Sequence, residues 1–287
     1  MPFWTWAAPA AAWLVLLLPA SLTGSGVHAT AAGLALIATV FAAVYHAEVV
    51  AHRTGEPFGT LVLAVAVTVI DVALIVSVMI SAPTEKMGLA RDTVFAAVMI
   101  VMNGIVGLCL LLGGIRHHQQ GFQAHGANAG LAVLAALTTL TLVLPNLVAT
   151  ASGPMFNTSQ LVFAGFVSLV LYCAYVFVQT VSHRDDFLTP ETGDQHQHAA
   201  SPSNRAAVIS GCLLVVALVA VVGLAKSLTP AVEGAIRWFG LPEAVVGIVI
   251  AAVVLLPECV AALRAANANR LQTSLNLALG SVLAAMA

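Results

Sequence analysis

Apolar residues run almost unbroken over stretches of about twenty, with polar residues gathered in the gaps between them. A helix rises 1.5 Å per residue, so roughly 20 apolar residues cross the ~30 Å hydrocarbon core of a bilayer. The stretches 4–22, 28–50, 59–81, 91–114, 128–150, 158–181, 206–226, 241–263 and 271–287 meet or approach that length. They are continuously apolar, which predicts membrane helices whose backbone groups pair internally. The fold class expected is an all-α polytopic membrane protein with about nine spans.

The first stretch contains Ala-Ala-Pro-Ala-Ala-Ala, as a secretory leader might, but no basic residue precedes it. Trp4, Trp6 and Trp13 suit a helix anchored at the membrane interface, so it is read as a span. The last stretch stops at Ala287 without a polar flank, which reads either as a short terminal helix or as a chain that continues.

Residues 182–204 break the pattern. They contain Asp185, Asp186, Glu191 and Asp194, with His196 and His198, and form a solvated linker between six spans and three. It is either an unstructured tether or an acidic loop that attracts cations. With alternating loops, the linker side collects Arg53, Arg116, Arg184, Arg205, Arg264 and Arg270. The opposite side collects Lys86, Arg91, Lys226 and Arg237, so the positive-inside rule favours a cytoplasmic linker.

Composition sharpens the class. Of 287 residues 60% are hydrophobic and 8% charged, where soluble domains carry about a quarter charged. Mean hydropathy is +1.00. A net charge of −2 and the lack of a basic patch exclude a nucleic-acid partner. Cys109, Cys173, Cys212 and Cys259 sit in apolar runs without a CxxC pair and read as small buried hydrophobes. His117 and His118 read as loop residues.

Two carboxylates fall inside apolar runs: Asp71 in Val-Thr-Val-Ile-Asp-Val-Ala-Leu, and Glu258 in Val-Leu-Leu-Pro-Glu-Cys-Val. A charge at the bilayer centre costs roughly 2.5–3.5 kcal/mol on insertion scales, and such residues commonly mark ion paths. The bland alternative is a protonated acid bonded to a neighbouring helix. The surroundings of the two acids are alike. Gly59 and Gly247 precede them by twelve and eleven residues, and Arg91 and Arg270 open the stretches that follow. Asn103-Gly104 and Asn276 with Gly280-Ser281 then recur at similar depth. Loosely repeated hydrophobic segments are what an internally duplicated transporter leaves in its sequence.

Pro257 has no N–H to give the carbonyl four residues earlier, so it frees backbone oxygen beside Glu258 or simply kinks the helix. Carboxylate and carbonyl oxygens suit Ca²⁺, Na⁺ or K⁺ better than a soft metal. A carboxylate out of water needs its charge neutralised, by a proton or by a cation, and that exclusion couples two fluxes. His46, Glu48, His52 and Glu56 cluster ahead of the first acid. They read either as a titrating entrance or as a polar helix end with a Gly-Glu-Pro turn.

The stretch from His46-Ala-Glu-Val-Val-Ala-His-Arg-Thr-Gly-Glu-Pro-Phe-Gly-Thr to Val-Thr-Val-Ile-Asp71 resembles the calcium/cation antiporter superfamily, in its bacterial calcium/proton (ChaA-type) branch. So do Arg91-Asp-Thr-Val-Phe through Asn103-Gly, and Leu-Leu-Pro-Glu258 through Asn276-Leu-Ala-Leu-Gly-Ser281. The resemblance implies eleven helices, one extra and then two inverted five-helix repeats. That gives an extra helix in 1–27, a first repeat in 28–181, the linker, and a second repeat in 205–287 short of its last two helices. It implies that Asp71 and Glu258 bind cation and proton, with Asn103 and Ser281 on partner helices and Asn276 and Pro257 in support. The family carries Glu where this chain has Asp71. The implied protein is an antiporter of the bacterial cytoplasmic (inner) membrane exchanging Ca²⁺, Na⁺ or K⁺ for H⁺. It has no cofactor beyond the transported ions, and its partners are lipid and those ions, with a homo-oligomer left open. A membrane enzyme would need a nucleophile or metal cluster at membrane depth, which the sequence does not offer. A non-transporting or truncated membrane protein is the remaining alternative.

Overall fold

A computed structural model describes residues 2–18, 24–54, 88–148, 155–188, 202–242 and 244–286. The described residues are helical and contain no strand. In chain order the helices are α1 (Trp4–Leu17), α2 (Ser25–Thr54), α3 (Leu89–Met99), α4 (Val106–His117) and α5 (Ala124–Thr138). They continue with α6 (Thr158–Phe177), α7 (Asn204–Trp238), α8 (Ala244–Val254), α9 (Leu256–Asn267) and α10 (Leu271–Met286). A π-helical turn, Ile100–Ile105, joins α3 to α4; others follow α5 (Thr139–Val143) and α6 (Val178–Ser182).

Among the described residues, five continuous helical stretches are long and apolar enough to cross a membrane: Gly26–Thr54, Arg91–His117, Ala124–Asn146, Thr158–Ser182 and Asn204–Trp238. The pair α8 and α9 makes a sixth if its 52° bend is counted within one span, and α1 and α10 are shorter apolar helices. The predicted span 59–81 lies outside the described residues.

Side-chain placement fits a lipid surround. Helix α6 exposes Leu161, Val162, Phe163, Phe166, Leu169 and Phe177 while burying Ala164, Ser168 and Tyr175. Large apolar groups outside and small or polar ones inside would fail in water and suit hydrocarbon. Hydroxyls inside helices turn back on their own backbone: Thr39, Thr139, Thr141 and Thr229 each donate to the carbonyl four residues earlier, at 2.6–2.9 Å.

Helix ends follow local chemistry. Asn157 and Gln160 form a reciprocal capping box at the start of α6, at 2.9 and 3.0 Å. Ser203 Oγ accepts from the Ala206 N–H to start α7. Helix α7 then runs 35 residues, about 52 Å. It carries Lys226, expected in a loop, on a helix that continues to Trp238. Pro230 removes one donor and crowds the Lys226 carbonyl inside this helix, and the helix continues through it. Gly240, at φ 65°, ends it in a Schellman turn with Gly240 N–H to Arg237 and Leu241 N–H to Ile236. Asn269, at φ 60°, does the same for α9.

The chain forms two compact units, one of residues 1–96 and 198–257, the other of 97–197 and 258–287. Each draws a segment from either side of the linker, so compact units and sequence halves are different divisions of the chain. In the first unit α1, α2 and α7 pack through Ala12, Ala32, Leu36, Val40, Ala43, Ala217, Ala220 and Leu224. Its close contact at Gly247 would set a Cβ 3.0–3.1 Å from the backbone of Thr93 and Asp92, a tight fit. In the second, α10 packs against α4, α5 and α6. The loops assigned to one side by alternation meet within each unit. Arg53 Nε donates to Asn204 Oδ1 in the first. Arg116 Nη1 donates to Asn267 Oδ1 in the second.

Candidate functional site

Glu258 sits in the first turn of α9, just after the break that ends α8. Pro257 occupies the preceding position, where a helix tolerates the missing N–H because first-turn donors lack intrahelical partners anyway. The proline is therefore part of a new helix start, and the 52° bend lies ahead of it. The start of a helix is its positive end, which favours an anionic side chain there. Glu258 as a whole is half-buried, but its Oε2 is shut off from solvent and has no hydrogen-bond partner.

Helix α10 presents a similar deficit. Ser274, Ala278 and Ser281 fall at i, i+4 and i+7, one face of the helix. All three are buried; the Ser281 hydroxyl has no hydrogen-bond partner, and the Ser274 hydroxyl meets the Cys109 thiol of α4. Ser168 Oγ on α6 completes the set of buried, unpartnered side-chain oxygens in this unit among the described residues. Most buried polar atoms in proteins are paired, so a group of free oxygens in one unit of a membrane protein calls for water or an ion.

Asn103 lies within the π turn Ile100–Ile105, exposed, with Nδ2 donating to Met99 O at 3.2 Å. π turns recur at functional positions, and this one was not legible in the sequence. Asn276 is half-buried with its amide engaged: Nδ2 donates to Phe187 O at 2.7 Å, and Oδ1 accepts from Gln272 Nε2 at 2.9 Å. Asp71 and Glu56 lie outside the described residues.

The remaining residues of the entrance cluster divide between core and surface, with Glu48 and His52 one helical turn apart on α2. His46 is fully buried, whereas Glu48 and His52 are exposed. His46 Nε2 lies 3.0 Å from the Thr5 carbonyl, which can only accept, so the ring is protonated at Nε2. Its Nδ1 then accepts from Ser210 Oγ at 3.2 Å. The Thr5 carbonyl needs this donor because the residue four ahead, Pro9, lies inside α1 and has no N–H. His46 thus replaces the backbone hydrogen bond that Pro9 removes. The sequence signal was available: a proline in an apolar helix exposes the carbonyl at i−4, and a lone histidine in another apolar run can repair it. Thr5, Ser274 and Gln272, each buried and polar, are the residues that sequence reasoning passed over.

Among the described residues no group of three His, Cys, Asp or Glu side chains could hold a metal ion. The profile of the sodium/calcium exchanger protein family matches residues 25–181 and 209–287. The y4hA protein of Sinorhizobium fredii (strain NBRC 101917 / NGR234), named as an ionic transporter, is 48% identical over 297 aligned positions, covering 100% of this chain and 78% of that one. The sodium-potassium/proton antiporter ChaA of Escherichia coli (strain K12) is 33% identical over 255 positions, covering 87% and 68%. Among solved structures, native YfkE superposes with a TM-score of 0.70 at 18% identity, covering 96% of this chain and 77% of that one. The H⁺/Ca²⁺ exchanger CAX superposes at 0.65 and 13% identity, covering 90% and 65%. Those two likenesses concern the fold; the profile match and the 33–48% relatives fix the kinship, and this chain belongs to the sodium/calcium exchanger protein family.

Proposed function

We propose that this chain is a secondary antiporter of the bacterial inner membrane, exchanging a cation for protons, and not an enzyme. The observation that carries the reading is Glu258: a carboxylate with one buried, unpartnered oxygen at the start of a helix in a broken apolar pair. Such an oxygen is satisfied by a proton or by a cation, and binding one excludes the other. Asp71 is its counterpart in the first repeat, and the pair alternates between proton and cation as access switches. Ser281 and Asn103 supply neutral oxygens from partner helices, and Pro257 fixes the helix start that aims Glu258. Glu48, His52 and Glu56 form the polar entrance, while His46 braces the helices beside it. The division into an extra helix, two inverted repeats and a linker belongs to the same proposal.

Ca²⁺ is the first candidate cargo, since the chain is 25% identical over 184 residues to the Ca²⁺/H⁺ antiporter ChaA of Bacillus subtilis (strain 168), covering 62% of this chain and 51% of that one. Exchange of Na⁺ or K⁺ is the second reading, favoured by the stronger match to the Escherichia coli protein. In inverted vesicles, collapse of a pre-formed ΔpH on adding Ca²⁺, Na⁺ or K⁺ reads the exchange and ranks the ions. Asp71→Asn and Glu258→Gln should each abolish it. Exchange that survives both substitutions would sink the mechanism.

A further inference from the structure

A chain of three hydrogen bonds crosses the second unit, and its direction is fixed at both ends by backbone. The Gln123 N–H can only donate, and it donates to Gln272 Oε1 at 2.7 Å. That forces Gln272 Nε2 to be the donor to Asn276 Oδ1, at 2.9 Å. Asn276 Nδ2 must then donate onward, and it does so to the Phe187 carbonyl at 2.7 Å, which can only accept. Every side-chain amide in the chain therefore has one allowed orientation.

The recipient, Phe187, lies in the short 3₁₀ turn Arg184–Phe187 that opens the linker. Two contacts beyond the hydrogen bond hold that turn. Phe187 is buried and meets Tyr175 of α6 edge to face, with ring centroids 6.0 Å apart. The Asp186 carbonyl passes so close over Gly126 of α5 that any Cβ there would collide with it. The same Cβ would meet the Gln272 amide at 3.2 Å. Gln272, at the base of the arrangement, is fully buried.

Gln272 and Asn276 lie on α10, the helix that bears Ser281. Asn276 is five residues from Ser281, about 7.5 Å along the axis. We propose that Asn276 is a positioning residue: through the Gln272–Asn276 amide pair it locks the start of the linker to α10, so that the two move as one body and the depth of Ser281 is set by the linker's seat. This assigns Asn276 to the mechanics of α10 and not to the ion. The docking half of the proposal stands on the geometry alone; the transport half rests on the antiporter reading above.

Hydrogen exchange measured by mass spectrometry on the full-length protein in nanodiscs tests the docking half. Asn276→Leu removes the donor to Phe187, and Gly126→Ala pushes the Asp186 carbonyl away while leaving every amide of the chain in place as a chemical group. Both should raise exchange at residues 183–188 at least tenfold, with exchange in 271–286 rising in parallel. Asn276→Asp adds a control of direction. Its carboxylate cannot donate to Phe187, but its protonated form can, so protection at 183–188 should return as pH falls, after correction for intrinsic rates. In vesicles, Asn276→Leu and Gly126→Ala should raise the cation concentration for half-maximal ΔpH collapse about fivefold, with the maximal rate within twofold of wild type. Exchange that rises at 183–188 while 271–286 stays protected would overturn the coupling. Altered cation dependence with unchanged protection would place Asn276 at the ion and also overturn it. If the wild-type protein transports nothing, the antiporter reading fails, and the parallel rise in exchange still decides the docking.

Discussion

His46 and Glu258 are both polar side chains set in apolar helices, and they meet opposite fates. His46, in the α1–α2–α7 core, is completely buried, and both ring nitrogens are used, one on a carbonyl that Pro9 left without a donor. Glu258, at the start of α9, keeps one buried oxygen with no partner, and the unit holding it also contains the free hydroxyls of Ser168 and Ser281. A buried polar group costs about 1–3 kcal/mol when left unpaired. A protein that satisfies one such group fully and leaves another open separates scaffold from site. On the antiporter reading, the first is scaffold, complete without a ligand, and the second is left open to a proton or a cation.

The comparison breaks first at Glu258. Glu258→Gln keeps the volume and removes the charge, so cation-driven ΔpH collapse should fall at least 100-fold while thermal unfolding in detergent moves up or not at all. A melting temperature that drops several degrees would make Glu258 a structural residue and erase the contrast.

The scaffold side predicts the reverse. His46→Leu strands the Thr5 carbonyl and the Ser210 hydroxyl, which should cost about 2–3 kcal/mol of stability. Pro9→Ala restores the N–H that Thr5 would otherwise receive, so in that background the same substitution should cost about 1 kcal/mol less. Denaturant unfolding of the four proteins in the double-mutant cycle measures the coupling. Zero coupling would mean that His46 does not compensate for Pro9.

The smallest effect belongs to Ser281→Ala. Removing an unpartnered hydroxyl should leave stability within about 0.5 kcal/mol of wild type, since no bond is lost. Half-maximal cation concentration should rise about threefold if that oxygen serves the ion. An unchanged value together with a clear loss of stability would mean that the hydroxyl has a structural partner after all.

Much of the architecture was legible before any coordinates. Long apolar runs mark helices because a bilayer leaves the backbone no other partner, and the spans 91–114 and 158–181 differ from their helices by only a few residues. Glu258 was legible for the same reason, since a carboxylate in such a run is expensive. Helix α7 was misjudged at its far end because a charged residue at 226 looks like a membrane boundary, while nothing in the backbone obliges the helix to stop there.

What the sequence by itself determined is the class of solvent around each segment and the rarity of charge within it, because both depend on composition over about twenty residues. What only the tertiary structure decided is which buried polar atoms find partners. Asn276 and Glu258 read alike as site residues in the sequence; across the second unit, Asn276 spends its amide on Gln272 and Phe187, and Glu258 Oε2 meets no donor. That difference depends on helices more than eighty residues apart in the chain, since Asn276 and Phe187 stand 89 positions from each other. Local spacing carries no record of it, because a hydrogen bond needs its two atoms within about 3 Å and only packing brings them there.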